Sequence, residues 1–300
     1  VWFRKFDGVD FTVKEQGAML VVETAEVKFF IKKKSGKPAF VEFKESGKTV
    51  KANNKNNLKG TCRTLDNTFG KTKLMDGLLT ESGVYVLDDS VSVLIDENGR
   101  FAQREENSRD FYIFAFEKNY REVIKAFYRI SSPVPLIPRF ALGVWWSRYH
   151  AYTQKEYLDL MAKFKSEHIP LTVATVDMDW HWVDIKKQFG KKLSGWTGYS
   201  WDTNLFPDYK EFLKQLKEKN LHITLNLHPA DGVRSFEIMY EDMARANGID
   251  PSTEKPVKFR CGSDTFWNSY FDILHKPYEK DGVDFWWIDW QQGKSSEVKG

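Results

Sequence analysis

The sequence predicts two architectures in succession: an N-terminal antiparallel β-sandwich, then the first half of an eight-stranded (β/α)8 TIM barrel. Three observations predict this. Short apolar runs broken by polar turns fill the chain to about Phe116, a proline-rich break follows one helical stretch, and strand-like and helix-like segments then alternate to the end. A chain of 300 residues is long enough for two domains, because single cores stop growing near ~250–300 residues.

In order along the chain, Met19–Val22, Val27–Ile31 and Val91–Ile95 read as strands. The segments Lys34-Ser35-Gly36-Lys37-Pro38, Glu45-Ser46-Gly47-Lys48 and Glu97-Asn98-Gly99 are the punctuation of antiparallel β-structure. The sandwich is assigned to residues 1–118. From Asn119 the apolar positions Tyr120, Val123, Ile124, Phe127, Tyr128 and Ile130 recur at helical spacing, and Ser131-Ser132-Pro133-Val134-Pro135 with Pro138 ends that helix. Residues 119–137 are therefore a linker helix and a proline-rich connection.

Residues 138–300 carry the repeat. Ala141–Trp146 is a strand, and Thr153 with Glu156 three residues on is a capping box that opens a helix. The strand Leu171–Val176 precedes a polar, aromatic insertion from His181 to Phe206. A helix over Asp208–Asn220, the strand His222–Leu227, helices near Ser235–Ala246 and through Tyr270–Tyr278, and the strand Phe285–Ile288 follow. Each strand is a nearly continuous apolar run, as in buried parallel sheets. Four such strands are half of a barrel that needs about 250 residues, so the barrel is expected to continue beyond residue 300. An isolated half would leave its last strand edge exposed.

Composition narrows the function classes. The net charge of +3 is small and the lysines are scattered among acids, which excludes the footprint of a nucleic-acid binder. No apolar run is long enough for a membrane-spanning helix, and no membrane partner is expected. Cys62 and Cys261 lie far apart with neither zinc nor disulfide-framework spacing. His181, His222 and His228 with the neighbouring aspartates fit no tight metal spacing, and no phosphate or nucleotide loop is present, so neither metal nor cofactor is expected. Val1 opens no signal pattern; the compartment stays open, with the cytoplasm as the working expectation.

Barrel active sites lie at the carboxyl ends of the strands. Reading those positions gives Ser147-Arg148-Tyr149, Asp177-Met178-Asp179-Trp180-His181, His228-Pro229-Ala230-Asp231 and Asp289-Trp290-Gln291-Gln292. Carboxylates, amides and aromatics of this kind suit a neutral polyol, which makes an oligosaccharide or glycoside the expected partner. Asp289, flanked by Trp287 and Trp290, can attack an anomeric carbon while the indoles hold the ring and exclude water. The residue readings leave alternatives open. Asp289 could be a structural acid paired with Arg148 or Arg260, and Arg148 itself could brace strands or line the pocket. Of Asp177 and Asp179, which alternate across the strand end, Asp177 is expected to face the ligand and Asp179 to brace a loop. His228, at a strand end, is expected to touch the sugar. The stretch containing Trp180, His181, Trp182, Trp196, Tyr199 and Trp201 either packs the insertion against the sandwich or lines further sugar subsites.

Three segments resemble glycoside hydrolase family 31, the α-glucosidase and α-xylosidase family. Gly77-Leu78-Leu79-Thr80-Glu81-Ser82-Gly83-Val84-Tyr85-Val86-Leu87-Asp88-Asp89-Ser90 is similar to its GLLSRDGWxxxDDS stretch, with Val84 where Trp is usual. Pro138–Gly143, Ile169-Pro170-Leu171 and Asp177-Met178-Asp179-Trp180 resemble its first two barrel units. Trp287-Ile288-Asp289-Trp290-Gln291-Gln292-Gly293 falls on its nucleophile motif W-x-D-M-N-E, from which Trp290-Gln291-Gln292 departs. The region after Pro256 also lacks the family's Trp-Pro step.

The resemblance implies a retaining exo-α-glycosidase acting on α-glucosides or α-xylosides, with Asp289 as the nucleophile. It also implies that Asp177 accepts hydrogen bonds from sugar hydroxyls and that Met178 and Trp287 wall the pocket. From their strand-end positions His228, Arg148 and Trp290 are candidate further contacts. The general acid/base is expected beyond Gly300, so the 300 residues alone are expected to be inactive without the C-terminal remainder. The altered nucleophile motif keeps α-galactosidase or α-N-acetylgalactosaminidase specificity as an alternative, and a non-catalytic carbohydrate-binding relative as another. Self-association into a homo-oligomer stays open.

Overall fold

The structure is a computed structural model that describes residues 8–62 and 68–289. The chain divides into two compact units between Pro135 and Leu136, inside the 119–137 connection.

In the first unit, β1 (Thr12–Gln16), β2 (Met19–Glu23), β3 (Val27–Lys32), β4 (Pro38–Phe43) and β5 (Thr49–Lys51) form one antiparallel meander in sequence order. A second layer follows: β6 (Val84–Asp88), β7 (Leu94–Ile95), β8 (Phe101–Ala102) and β9 (Phe111–Ala115). Within it β6 pairs antiparallel with β9, and β7 with β8. Val41 and Phe43, two apart on β4, meet Val84 across the sandwich, with Val27, Phe29, Ile113 and Ala115 closing round them. The run Val91–Ile95 is a strand only over Leu94–Ile95; Val91 is 83% exposed because β6 and β9 supply the paired strands of this layer instead. Helix α1 (Tyr120–Ser131) lies on this unit, seating Val123 and Ile130 against Phe114.

The Gly77–Ser90 stretch is built for packing. Gly83 has φ +73°, and a Cβ there would lie 1.7 Å from the Glu117 carbonyl oxygen, so only glycine fits. Thr80 is buried and donates to the Val84 carbonyl at 2.8 Å. Arg104, with its side chain 7% exposed, reaches Asp89 at 3.1 Å and Asp110 at 3.3 Å, and its Nε donates to the Ser92 carbonyl at 2.7 Å. Arg104→Ala removes a cation shared by two carboxylates and a donor to the Ser92 carbonyl, and is expected to destabilise the first unit by about 2–4 kcal/mol. Urea unfolding followed by near-ultraviolet circular dichroism measures this; a midpoint equal to that of the parent protein would show that water already compensates the acids.

The second unit opens with a 3-10 turn over Arg139–Leu142, so the predicted strand begins three residues late, as β10 (Val144–Trp146). Then come α2 (Gln154–Ser166), β11 (Leu171–Val176), α3 (Ile185–Phe189), α4 (Tyr209–Glu218), β12 (His222–Leu227), α5 (Tyr240–Ala246), α6 (Asp264–Ser269), α7 (Lys276–Asp281) and β13 (Phe285–Ile288). The predicted capping box opens α2: Thr153 accepts from the Glu156 amide, and Glu156 reaches back to the Thr153 amide. The four strands are parallel and lie in the order β10-β11-β12-β13. Strictly sequential order without a reversal is the order of a (β/α)8 barrel, not of a doubly wound sheet.

The central strands β11 and β12 bury both faces, and alternation sorts the residues of the sheet. Trp146, Ala174, Val176, Ile223, Leu225, Leu227 and Trp286 join the helical layer with Tyr157 and Met161 of α2 and Phe212, Leu213 and Leu216 of α4. The alternate positions, Val173 and Thr175, His222, Thr224 and Asn226, Phe285 and Trp287, face the other side, which is the barrel interior. At its amino-terminal end Phe140 stacks on His222 at 3.6 Å and Trp145 meets Phe285 edge-on at 5.3 Å.

The insertion after β11 docks onto the helical layer. Trp201 stacks on Tyr209 at 4.9 Å and 10° and meets Trp180 edge-on at 5.1 Å. Trp180, His181, Tyr199 and Trp201 are fully buried within this unit, where they pack against its own helices and strands. Between α6 and α7 the chain makes a π turn over Tyr270–His275, with the Tyr278 hydroxyl donating to the Tyr199 carbonyl at 2.6 Å.

Candidate active site

Asp177, His228 and Asp289 each continue the interior-facing alternation of their strand by one step, which brings them to one rim. The Asp289 amide still donates to the Leu227 carbonyl at 2.9 Å, so the sheet ladder fixes its backbone. Asn226, buried on β12, donates from Nδ2 to Asp289 Oδ2 at 3.3 Å. His228 Nε2 stands 3.5 Å from the same oxygen. Two donors from one strand thus address one carboxylate oxygen of the next.

Burial holds the His228 pKa below the usual imidazole value, against the opposing pull of Asp289 and Asp177. The ring is therefore neutral near pH 7. We assign its proton to Nε2, facing Asp289, because Nδ1 is buried with no partner among the described residues. Asp177 caps the turn Met178–Trp180, its Oδ1 accepting from the Met178 amide at 2.7 Å. Burial pushes its carboxyl up, and the charge of Asp289 adds to that, while the Met178 amide and His228 oppose it. The Asp177 and Asp289 charges therefore act on one another across the rim.

Asp179 points elsewhere. It lines a cleft with Asp184, Lys187, Asp202 and Asn204 in the insertion. Arg148 is exposed and borders a small recess with Asp177 and Asp179. Trp287 is half-buried on β13 and shares the interior face with Asp289. Met178 is only 3% exposed and so lines no open space here. Trp290 lies outside the described residues. Among the described residues no group of three or more His, Cys, Asp or Glu side chains is arranged to hold a metal ion.

Sequence reasoning passed over Asn226, although a polar residue two before His228 in an apolar strand was a visible signal. The description "Glycosyl hydrolases family 31 TIM-barrel domain" matches residues 134–299, more than half of the chain. The chain belongs to glycosyl hydrolase family 31.

Relatives with established names are similar over parts of the chain as well. An α-xylosidase from Saccharolobus solfataricus is 25% identical over 185 residues, covering 60% of this chain and 22% of that protein. "Alpha-glucosidase 2" from Bacillus thermoamyloliquefaciens is 25% identical over 136 residues, 45% of this chain and 16% of that one. The chain thus spans less than a quarter of the length of these two relatives. The crystal structure of a family 31 α-xylosidase from a soil metagenome, complexed with xylose, superposes with a TM-score of 0.58 at 13% identity. It covers 96% of this chain and 51% of that one, and so shows the shared fold. Both named relatives are α-glycosidases, and no helix among the described residues of this chain is long and apolar enough to cross a membrane.

Proposed function

We propose that the protein containing this chain is a retaining exo-α-glycosidase, acting first on α-glucosides or α-xylosides, with Asp289 as nucleophile. The observation that carries this reading is the convergence of Asn226 Nδ2 and His228 Nε2 on Asp289 at the carboxyl end of a parallel strand. Donors set in advance fix the direction in which a carboxylate presents itself.

In the first step Asp289 attacks the anomeric carbon of the terminal sugar and the leaving oxygen departs with a proton, forming a glycosyl ester. Water then cleaves the ester with net retention. Asp177, drawn toward the same rim, accepts hydrogen bonds from ring hydroxyls, and a carboxylate acceptor rejects analogues that lack the hydroxyl. Trp287 supplies an apolar face for the ring. The retaining reaction needs a second carboxyl group roughly 5–5.5 Å from the nucleophile. We assign that acid/base to a segment following these 300 residues.

The test is a panel of mechanism-based fluoro-glycosides on the full-length protein, with the adduct located by peptide mass spectrometry. Labelling on Asp289 by the gluco or xylo reagent is the expected result. Labelling on Asp289 only by a galacto or N-acetylgalactosamino reagent would keep the mechanism and replace the sugar; an adduct on another residue would overturn the assignment.

A further inference from the structure

We propose that Trp196 is the stacking platform for the sugar unit next to the one that is transferred, an inference that rests on the catalytic reading of Asp289. Of the aromatic residues in the insertion, Trp180 and Trp201 are 0% and 2% exposed, whereas Trp196 is 46% exposed. Its indole N–H has no hydrogen-bond partner among the described residues.

The residue is nevertheless held firmly. A Cβ on Gly195 would lie 1.8 Å from the Val183 carbonyl oxygen, and one on Gly198 would lie 2.3 Å from His181 Nδ1. Backbone on one side and a buried imidazole on the other therefore pin the two-residue segment between the glycines. Thr197 fastens it from below, donating to the His228 carbonyl and accepting from the Asp231 amide at 3.3 Å. Trp196 meets the His228 ring edge-on, at 5.2 Å and 84°.

The indole thus stands one imidazole away from Asp289, on a loop tied to the same strand end that orients the nucleophile. The transferred sugar occupies the rim between Asp177 and Asp289. A rigid aromatic face just outside that space matches the apolar C–H face of the neighbouring pyranose, where the leaving group of an oligosaccharide substrate would sit. Small leaving groups do not reach it.

The test uses the full-length protein with two substrates of the sugar that labels Asp289: the α-linked disaccharide and the α-glycosyl fluoride, whose leaving group is an ion. Trp196→Ala is expected to lower kcat/KM for the disaccharide about 10- to 50-fold more than for the fluoride, with Trp196→Phe recovering most of the difference. Equal losses on both substrates, or no loss on either, would overturn the platform. Titration with an unreactive thio-linked disaccharide separates this inference from the catalytic one. If Asp289 proves not to be the nucleophile, Trp196→Ala should still weaken that binding at least tenfold, and unchanged binding would overturn the platform on its own.

Discussion

Replacing Asp289 with Ala in the full-length protein should lower kcat/KM for an activated α-glycoside by on the order of 10^4-fold or more, while leaving the fold intact. The substitution removes the only group assigned to bond with the anomeric carbon and leaves Asn226 and His228 with their donors aimed at space. A small anion can enter that space. Azide added to the variant should restore part of the turnover and be captured as the β-glycosyl azide, because it attacks from the face the carboxylate used. Residual activity within tenfold of the parent, or an azide product of α configuration, would exclude Asp289 as the nucleophile.

The stability of the second unit should depend strongly on pH, through three buried groups outside the rim formed by Asp177, His228 and Asp289. His181 and His275 are buried with pKa values lowered to about 4 from 6.5, because desolvation disfavours the cation. Between pH 6.5 and 4 the unfolded chain therefore binds protons that the folded one does not. Their stabilisation is complete above 6.5 and is lost as the pH falls toward 4, about 3 kcal/mol for each. Glu237 runs the other way: it is 5% exposed, and burial raises its pKa to about 7 from 4.5. Here the folded chain holds the proton more tightly, so the penalty is absent below pH 4.5 and complete above 7, again about 3 kcal/mol.

The histidines together outweigh the glutamate, and net stability should fall by a few kcal/mol from pH 6.5 to 4. Glu237 accepts from the Tyr199 amide at 3.1 Å and the Ser200 hydroxyl at 2.6 Å, both through Oε2, which a glutamine carbonyl can replace. Glu237→Gln should therefore raise the urea midpoint at pH 8, leave it near the parent value at pH 4.5, and steepen the acid loss. A variant less stable than the parent at pH 8 would show that the ionised carboxylate is a net asset.

The convergence of Asp177, His228 and Asp289 was legible because two rules suffice for it: strands alternate every two residues, and barrel sites gather at strand ends. Those rules placed Asp177, His228 and Asp289 together without any long-range information. What they could not supply were contacts between distant segments. The bond from Thr197 to His228 and the clamp of Glu237 on Tyr199 and Ser200 join the loops after β11 and β12, and no local period announces them. The helix expected over Ser235–Ala246 shrinks to Tyr240–Ala246 for the same reason, since Glu237 turns inward to Ser200 before the helix begins. In the first unit the Gly77–Ser90 segment was read for its resemblance, while its physical content, a strand Val84–Asp88 paired with Phe111–Ala115, went unread.

The π turn between α6 and α7 makes helix length itself a core variable. A regular α-helix advances about 100° per residue, so Tyr278 would sit about 120° round from Phe266. The wider turn absorbs roughly one residue of that rotation and returns both rings to the buried side. Deleting a single residue there would regularise the backbone and keep Tyr278 on the buried side, about 20° round from Phe266, whereas straightening the turn at full length would swing Tyr278 off the Tyr199 carbonyl. A one-residue gap at this point in a comparison of relatives is therefore compatible with an unchanged core, whereas a one-residue change elsewhere in these helices is equivalent to several simultaneous core substitutions, and the insertion that carries Trp196 depends on the phase the turn sets.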